Sequence, residues 1–419
     1  MWYSHRYRAY PDTETATAAE HHIDIHRQLY NHVRWDYERA PSEDKPTRYQ
    51  QHRSLTDWKR DWPTFAELNA KAGQRTVSRF HQNLSLLADL KSEGYSVGRL
   101  KWKSPSNFRS VTYHQSGFNL DKKRGPNGYA HVRFAKIGWI PIRYHRDLPE
   151  NSSVKEVVLK RERTGEWFVT FGIEVDDATL PEKPDVETLD SGNSVGVDLG
   201  ILNYIYTSDG FAVTSLDLDS EHERLQKAGR TLSRREQGSN NWEKQRKRVA
   251  RLRRDIRRKV LDFQHKLTTW LVREYDAVFV ENLEVRKLLQ SSHNSRNKQD
   301  AAWGRFIQLL EYKSKLYGCH VKRVKPAGTT KECAKCGVNS EKPLWVREHS
   351  CPACGFECDR DANAAYNVLS RGLHKLGQGL AEETPVETVL PTSADGNDST
   401  TVDAKHVVET GSVCPAGSR

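Results

Sequence analysis

Hydrophobic positions along this chain change their period several times, and each change predicts a new element. Residues 4–10 read as a strand. Ile25, Leu29, Val33 and Tyr37 then recur at a spacing of four, which places them on one face of a helix. Val77, Phe80, Leu84 and Leu87 predict a second helix over about 66–90. After Gly94 the text turns strand-like and basic, through Arg99, Leu100, Lys101, Trp102 and Lys103. Residues 110–113 continue in strand fashion, and 157–161 with 167–171 form a hairpin joined through Thr164-Gly165. Residues 1–190 are therefore expected to be a mixed α+β region.

A stretch poor in apolar residues, 176–193, predicts a domain boundary. Beyond it, 194–200, 201–207 and 211–213 are short apolar runs separated by glycine-bearing turns, as in an antiparallel meander. Val249, Leu252, Ile256, Val260, Phe263, Leu267 and Trp270 step by three and four within a long helical stretch, 224–275. A polar break at 237–241 predicts two helices in a hairpin. Residues 277–281 form a buried-type strand that ends in Glu281, followed by a helix over about 301–317, a strand at 320–324 and a helix over about 361–376. From 377 to 419 the chain is rich in Thr, Pro, Ser and Asp, a composition expected to stay disordered.

Charge adds a partner class. The 419 residues carry 66 Lys+Arg against 55 Asp+Glu, a net +11 that suits a polyanion. The surplus is concentrated: residues 224–259 hold fifteen Lys/Arg and three Asp/Glu, which points to phosphate neutralisation by residues such as Arg246, Lys247, Arg251, Arg254 and Arg258. Lys101, Trp102 and Lys103 are a second candidate contact, an aromatic ring between two cations that could stack a base. No apolar run approaches the roughly 18–20 residues of a membrane helix, and the first residues lack the apolar core of a signal peptide. The expected location is the cytoplasm, with no membrane partner.

Two constellations carry chemistry. Cys333-x-x-Cys336 and Cys351-x-x-Cys354 are separated by fourteen residues. Each pair puts two thiolates on one turn, and the loop between them lets both turns close a tetrahedron around zinc. Four thiolates leave no open position, so this site is expected to be structural. His349 is a weaker candidate ligand, and Cys319, Cys358 and Cys414 read as ordinary thiols. The second constellation is Asp198, mid-strand in Val-Gly-Val-Asp-Leu-Gly, with Glu281 at a strand end and Asp361 at a helix start. A carboxylate on an apolar strand is costly to bury unless a cation compensates it. In RNase H-like folds three such acids hold two Mg²⁺ ions about 3.5–4 Å apart.

These residues resemble the TnpB family of insertion-sequence proteins. The strand ending Val197-Asp198-Leu199-Gly200 is similar to its first RuvC motif, Phe279-Val280-Glu281-Asn282-Leu283 to the second, and Asp359-Arg360-Asp361 with Asn363-Ala364-Ala365 and Asn367 to the third. Lys325-Pro326 and Thr329-Thr330 leading into Cys333 are similar to the run before the family's zinc finger. Arg6-Tyr7-Arg8, Arg27, Tyr30-Asn31 and the 108–113 segment resemble its N-terminal landmarks. Where the family often shows a Pro-Arg-Phe-Lys-like run, this chain has Arg99-Leu100-Lys101-Trp102-Lys103.

The resemblance implies a bilobed protein of α/β plus α+β class. A wedge-like β region with a helical recognition insert, 1–190, would grip guide RNA and target double-stranded DNA. A RuvC-like nuclease, 191–376, would carry a zinc ribbon insert at about 326–358. It further implies RNA-guided DNA cleavage by Asp198, Glu281 and Asp361 with Mg²⁺ or Mn²⁺, as a monomer or homodimer. Two other readings fit parts of the pattern: a repressor that binds without cutting, and an RNase H-like DNA strand transferase.

Overall fold

The computed structural model describes residues 1–126, 128–283, 295–341, 343, 345–377, 400–411 and 413. The chain divides between Thr179 and Leu180 into two units, inside the polar 176–193 stretch.

In the first unit, alternating exposed and buried positions make Trp2–Ala9 a strand, β1. Four helices follow: α1 (Thr13–Arg39), α2 (Arg48–Asp61), α3 (Pro63–Ala66) and α4 (Ala70–Ser92). Asp12 accepts from the Thr15 N–H at 2.7 Å and starts α1, while Thr47 and Gln50 form a capping box that starts α2. The remaining strands are β2 (Ser110–His114), β3 (Phe118–Asp121), β4 (Tyr129–Phe134), β5 (Gly138–Arg143), β6 (Ser152–Arg161) and β7 (Trp167–Val175). They form a seven-stranded antiparallel sheet in the order β2-β6-β7-β1-β5-β4-β3. The four helices are thus an insertion between two strands of one sheet. Ile25, Leu29, Tyr30 and Val33 of α1 are buried along with Val77 and Phe80 of α4.

Two expectations change here. The helix expected over 66–90 begins at Ala70, because Asn69 caps it by accepting from Ala72 N–H at 3.1 Å and Pro63 opens a separate turn. Arg99–Lys103 forms no strand. The Lys103 N–H and C=O, the groups a strand would offer to a neighbour, are both taken by the side-chain amide of Asn31, at 2.9 and 3.0 Å.

The second unit is built on a six-stranded sheet. Its elements are β8 (Ser194–Asp198), β9 (Asn203–Thr207), β10 (Phe211–Thr214), α5 (Asp219–Ser233), α6 (Asn240–Glu274), β11 (Ala277–Glu281), α7 (Ser295–Ala301), α8 (Trp303–Tyr317), β12 (His320–Val324), β13 (Glu348–Ser350), β14 (Glu357–Asp359), α9 (Arg360–Gly377), β15 (Thr400–Val402) and α10 (Ala404–Thr410). The order is β12-β11-β8-β9-β10-β15, with β8–β10 an antiparallel meander and β11 parallel to β8 and β12. Val195, Val197, Val278 and Val280 pack with Phe263, Leu267 and Phe306 of α6 and α8 on one side. Phe279 and Val324 pack with Val368 and Leu369 of α9 on the other.

The disorder expected of the C-terminal tail does not hold at 400–411. β15 pairs in parallel with the otherwise open edge of β10, and Ala404 and Val407 enter the core beside α6. An unpaired strand edge and an apolar helix flank supply partners that composition alone does not reveal. Residues 378–399, and Cys414 within 414–419, lie outside the described residues. Among the described residues no helix is long and apolar enough to cross a membrane.

Candidate active site and cysteine module

Strand alternation decides which acids can meet. On β8, Val195 and Val197 face α6 and α8, so Gly196 and Asp198 face the α9 side. On β11, Val278 and Val280 face α6 and α8, so Phe279 and Glu281 share the α9 side. Two glycines let α9 lie close to both strands. A Cβ on Gly196 would stand 2.1 Å from the Ala365 carbonyl oxygen, and one on Gly372 would stand 2.0 Å from the Phe279 ring. The helix that lies so close carries Asp361 in its first turn.

Asp198, Glu281 and Asp361 are 8%, 6% and 5% exposed, so all three acids are buried on one side of one sheet. Burial raises the Asp198 pKa well above the ordinary carboxylate range, and the charges of Glu281 and Asp361 raise it further, against Arg360 and Arg347. Burial also raises that of Glu281, opposed by a hydrogen bond from Thr329 and by Arg371. The charges of Glu281 and Asp361 acting on the buried Asp198 form a field that a hard divalent cation would relieve, and carboxylate oxygens are the donors such a cation takes. The chemistry of these donors suits that kind of ion, while among the described residues the four cysteines are the group that brings three or more ligand atoms within 4.8 Å of one another.

The surroundings of these acids include Arg347, which the sequence did not single out, and residues that the third motif shows without their partners. The Arg347 guanidinium, from the segment between the cysteine pairs, pairs with Asp361, and Arg360 lies 3.8 Å from it. Asp361 N–H donates to Asp359 at 2.7 Å at the helix start, where the dipole favours negative charge. Asn363 and Asn367 are buried and donate to the carbonyls of Thr329 and Glu332. Both asparagines are visible in the third motif, yet nothing in the sequence says where their amides go.

The four cysteines come together, with all four sulfurs within 4.8 Å of one another. Cys333 and Cys354 sulfurs are 3.7 Å apart, and Cys336 and Cys351 sulfurs 3.5 Å. Sulfurs about 2.3 Å from a central zinc would be about 3.8 Å apart at tetrahedral angles. The two pairs have the same local build. Gly337 N–H donates to Cys333 O at 2.8 Å, as Gly355 N–H does to Cys351 O at 3.0 Å, and both glycines have positive φ, 73° and 69°. The backbone N–H of Cys354 holds the Cys351 thiol down at about 6. His349, fully buried, pairs with Cys358 across β13 and β14 rather than joining the quartet.

The candidate nucleic-acid residues lie in both units. In the first, Trp102 is 52% exposed, with the Arg34 guanidinium 4.4 Å from its ring centroid. Lys101 is exposed, while Lys103 lies over the Tyr30 ring at 5.3 Å. In the second, α5 and α6 form the expected hairpin, joined by a Gln245 bond to Ala228 O at 2.9 Å. Arg251 and Arg258 of α6 are exposed, Lys247 is half-buried, and Arg246 and Arg254 pair with Glu243 and Asp255, both at 2.8 Å.

Comparison with known proteins gives matches across both units. Residues 172–292 match a family model described as OrfB_IS605, "Probable transposase", and residues 303–368 one described as "Cas12f1-like, TNB domain". A Streptomyces pristinaespiralis protein named "Putative RNA-guided DNA endonuclease" is 33% identical over 378 residues, covering 88% of this chain and 89% of its own. An Escherichia coli K12 protein, "Putative RNA-guided DNA endonuclease InsQ", is 26% identical over 335 residues, 76% of each. A solved Cas12f1–sgRNA–target DNA complex aligns at TM-score 0.53 with 16% identity over 84% of this chain and 82% of its own, a likeness of fold.

Proposed function

We propose a function from this premise: the chain belongs to the TnpB family of RNA-guided DNA endonucleases. It cuts DNA at a site chosen by base pairing with a bound guide RNA. Asp198, Glu281 and Asp361 are the metal-binding acids of an RNase H-like centre. The observation that carries this assignment is their burial on the α9 side of the sheet, with the Asp198 pKa raised first by that burial and then by the charges of Glu281 and Asp361. Mg²⁺ or Mn²⁺ bound there would supply a Lewis acid and an activated water for phosphodiester hydrolysis. Arg347 and Arg360, the cations nearest Asp361, are placed to offer donors to a phosphate. Cys333, Cys336, Cys351 and Cys354 hold structural zinc, with no position open to substrate.

Residues 1–179 contact guide RNA and target duplex. Trp102 serves there as a stacking surface, and the basic face of α6, through Arg251 and Arg258, contacts phosphates. The matched model's description, "Probable transposase", keeps strand transfer as a second reading. Cleaved ends without joined ends would exclude it.

The test is co-purification. The protein is expressed with its flanking genomic DNA, isolated, and its bound RNA sequenced. A discrete RNA that ends in boundary sequence of the element, and directs Mg²⁺-dependent cutting of a matched DNA, is the expected result. A folded, zinc-loaded protein with no specific RNA would overturn the guided reading.

A further inference from the structure

The segment 325–332 joins β12 to the first cysteine pair, and it is fixed along its whole length. Arg371 Nη1 donates to Lys325 O at 2.8 Å and to Ala327 O at 2.9 Å, and its Nη2 pairs with Glu332. Asn367 donates to Thr329 O at 2.9 Å and Glu332 O at 2.7 Å, and Asn363 to the same two carbonyls at 3.2 and 2.8 Å. Asn363 also accepts from Ala334 N–H at 2.9 Å, inside the first cysteine pair. Three side chains of α9, the helix that carries Asp361, therefore hold this segment.

What the clamp presents inward is one hydroxyl. Thr329 is 2% exposed. Its Oγ1 lies 2.5 Å from Glu281 Oε1 and 3.1 Å from Pro326 O. A hydroxyl has a single proton, and an ionised carboxylate is the stronger acceptor, so the shorter contact takes it. The carboxylate of Glu281 ends a strand, and this bond ties one of its oxygens to a clamped loop.

We propose that Thr329 is a positioning residue for Glu281: its hydroxyl fixes the orientation of that carboxylate so that the acid centre binds its divalent cation. The role rests on the reading of Asp198, Glu281 and Asp361 as metal-binding acids. A partner of this kind restricts the ligand's rotation before the ion arrives, and loss of one typically weakens metal affinity roughly 10- to 100-fold. Thr329 lies four residues before Cys333, so the cysteine module anchors the far end of the same loop.

The test is a Mn²⁺ titration of the full-length, RNA-free protein, followed by the electron paramagnetic resonance signal of the free ion. Wild type, Thr329→Ser, Thr329→Val and Glu281→Ala are compared, with zinc content and Tm measured on each. Thr329→Val should weaken Mn²⁺ binding roughly 10- to 100-fold with zinc content and Tm unchanged. Thr329→Ser, which keeps the hydroxyl, should bind as wild type does. Equal Mn²⁺ binding by Thr329→Val and wild type would overturn the proposal, as would equal weakening by Ser and Val, because Ser keeps the hydroxyl. If Thr329→Val does not fold, Thr329→Ala gives the same comparison with the same expected loss. If Glu281→Ala itself binds Mn²⁺ as wild type does, the acid-centre reading fails, and Thr329 fails with it. A weakened Glu281→Ala beside an unchanged Thr329→Val would remove Thr329 alone.

Discussion

The acid centre and the cysteine module share the start of α9, yet their residues stand in opposite relations to stability. The cysteines gather within one short segment, 333–354, and a zinc ion bound there would add its binding energy to folding. The acids come from 198, 281 and 361, and the burial of Asp198 beside the other two works against folding while no cation is bound. Removing a cysteine should therefore cost stability, whereas neutralising Asp198 should increase it. A group kept for chemistry at the expense of the fold is the physical mark of a functional site.

The comparison can be broken at its stable side first. Cys351→Ser should lose zinc and lower Tm by roughly 10 °C, since several kcal/mol of metal-coupled folding energy act in this unit. Full zinc content with an unchanged Tm would remove Cys351 from the ligand set.

Next is the packing that brings the acids together. Gly196→Ala forces a Cβ to within 2.1 Å of the Ala365 carbonyl oxygen, a backbone atom of α9 that cannot swing aside. Overpacking of this kind costs about 1–3 kcal/mol or more, and thermal unfolding should show the loss together with loss of cleavage. An unchanged Tm would mean that α9 does not approach β8 so closely.

The acid side predicts a gain. Asp198 has a raised pKa in the fold, so the native state holds its proton more tightly than the unfolded state does. The contribution of Asp198 to stability without added divalent cation should accordingly be most favourable at low pH, and should fall as pH rises above the ordinary carboxylate range, about 4. Asp198→Asn should remove that fall and raise Tm near neutral pH by a few degrees. A lower Tm in this variant would mean that the carboxylate is already compensated by Arg347 and Arg360.

The smallest effects belong to the nucleic-acid surface. Trp102→Ala should weaken binding of single-stranded nucleic acid roughly tenfold without changing its salt dependence, because stacking releases no counterions. Arg258→Ala should instead lower the slope of log K against log salt by about 1. Identical salt slopes for the two variants would erase the distinction between stacking and phosphate contact.

The two regions also differ in how they could be read. The cysteines announce themselves by spacing, because both knuckles are local turns. The acids stand out for a different reason: Asp198 and Glu281 end apolar strands whose residues are all buried, where a charge is costly. Arg347 and Arg371 stay hidden, and Thr329 shows only as a letter of the run before Cys333, because their partners lie 14, 39 and 48 residues away and follow no period. The 99–103 segment alternates like a strand, but Asn31 takes the backbone groups a neighbouring strand would need. Residues 400–402 look disordered by composition, and become a strand because β10 offers an edge.

The proposed role of the buried acids is to cut DNA and not merely to bind it. The most direct measurement gives guide-loaded wild type and Asp198→Asn the same matched DNA with Mg²⁺, and scores binding and cutting on the same samples. Metal-supported transition-state stabilisation is worth several kcal/mol, so cutting should fall about a thousandfold or more while binding stays unchanged. Cleavage retained by Asp198→Asn, or binding lost in step with cleavage, would contradict the account.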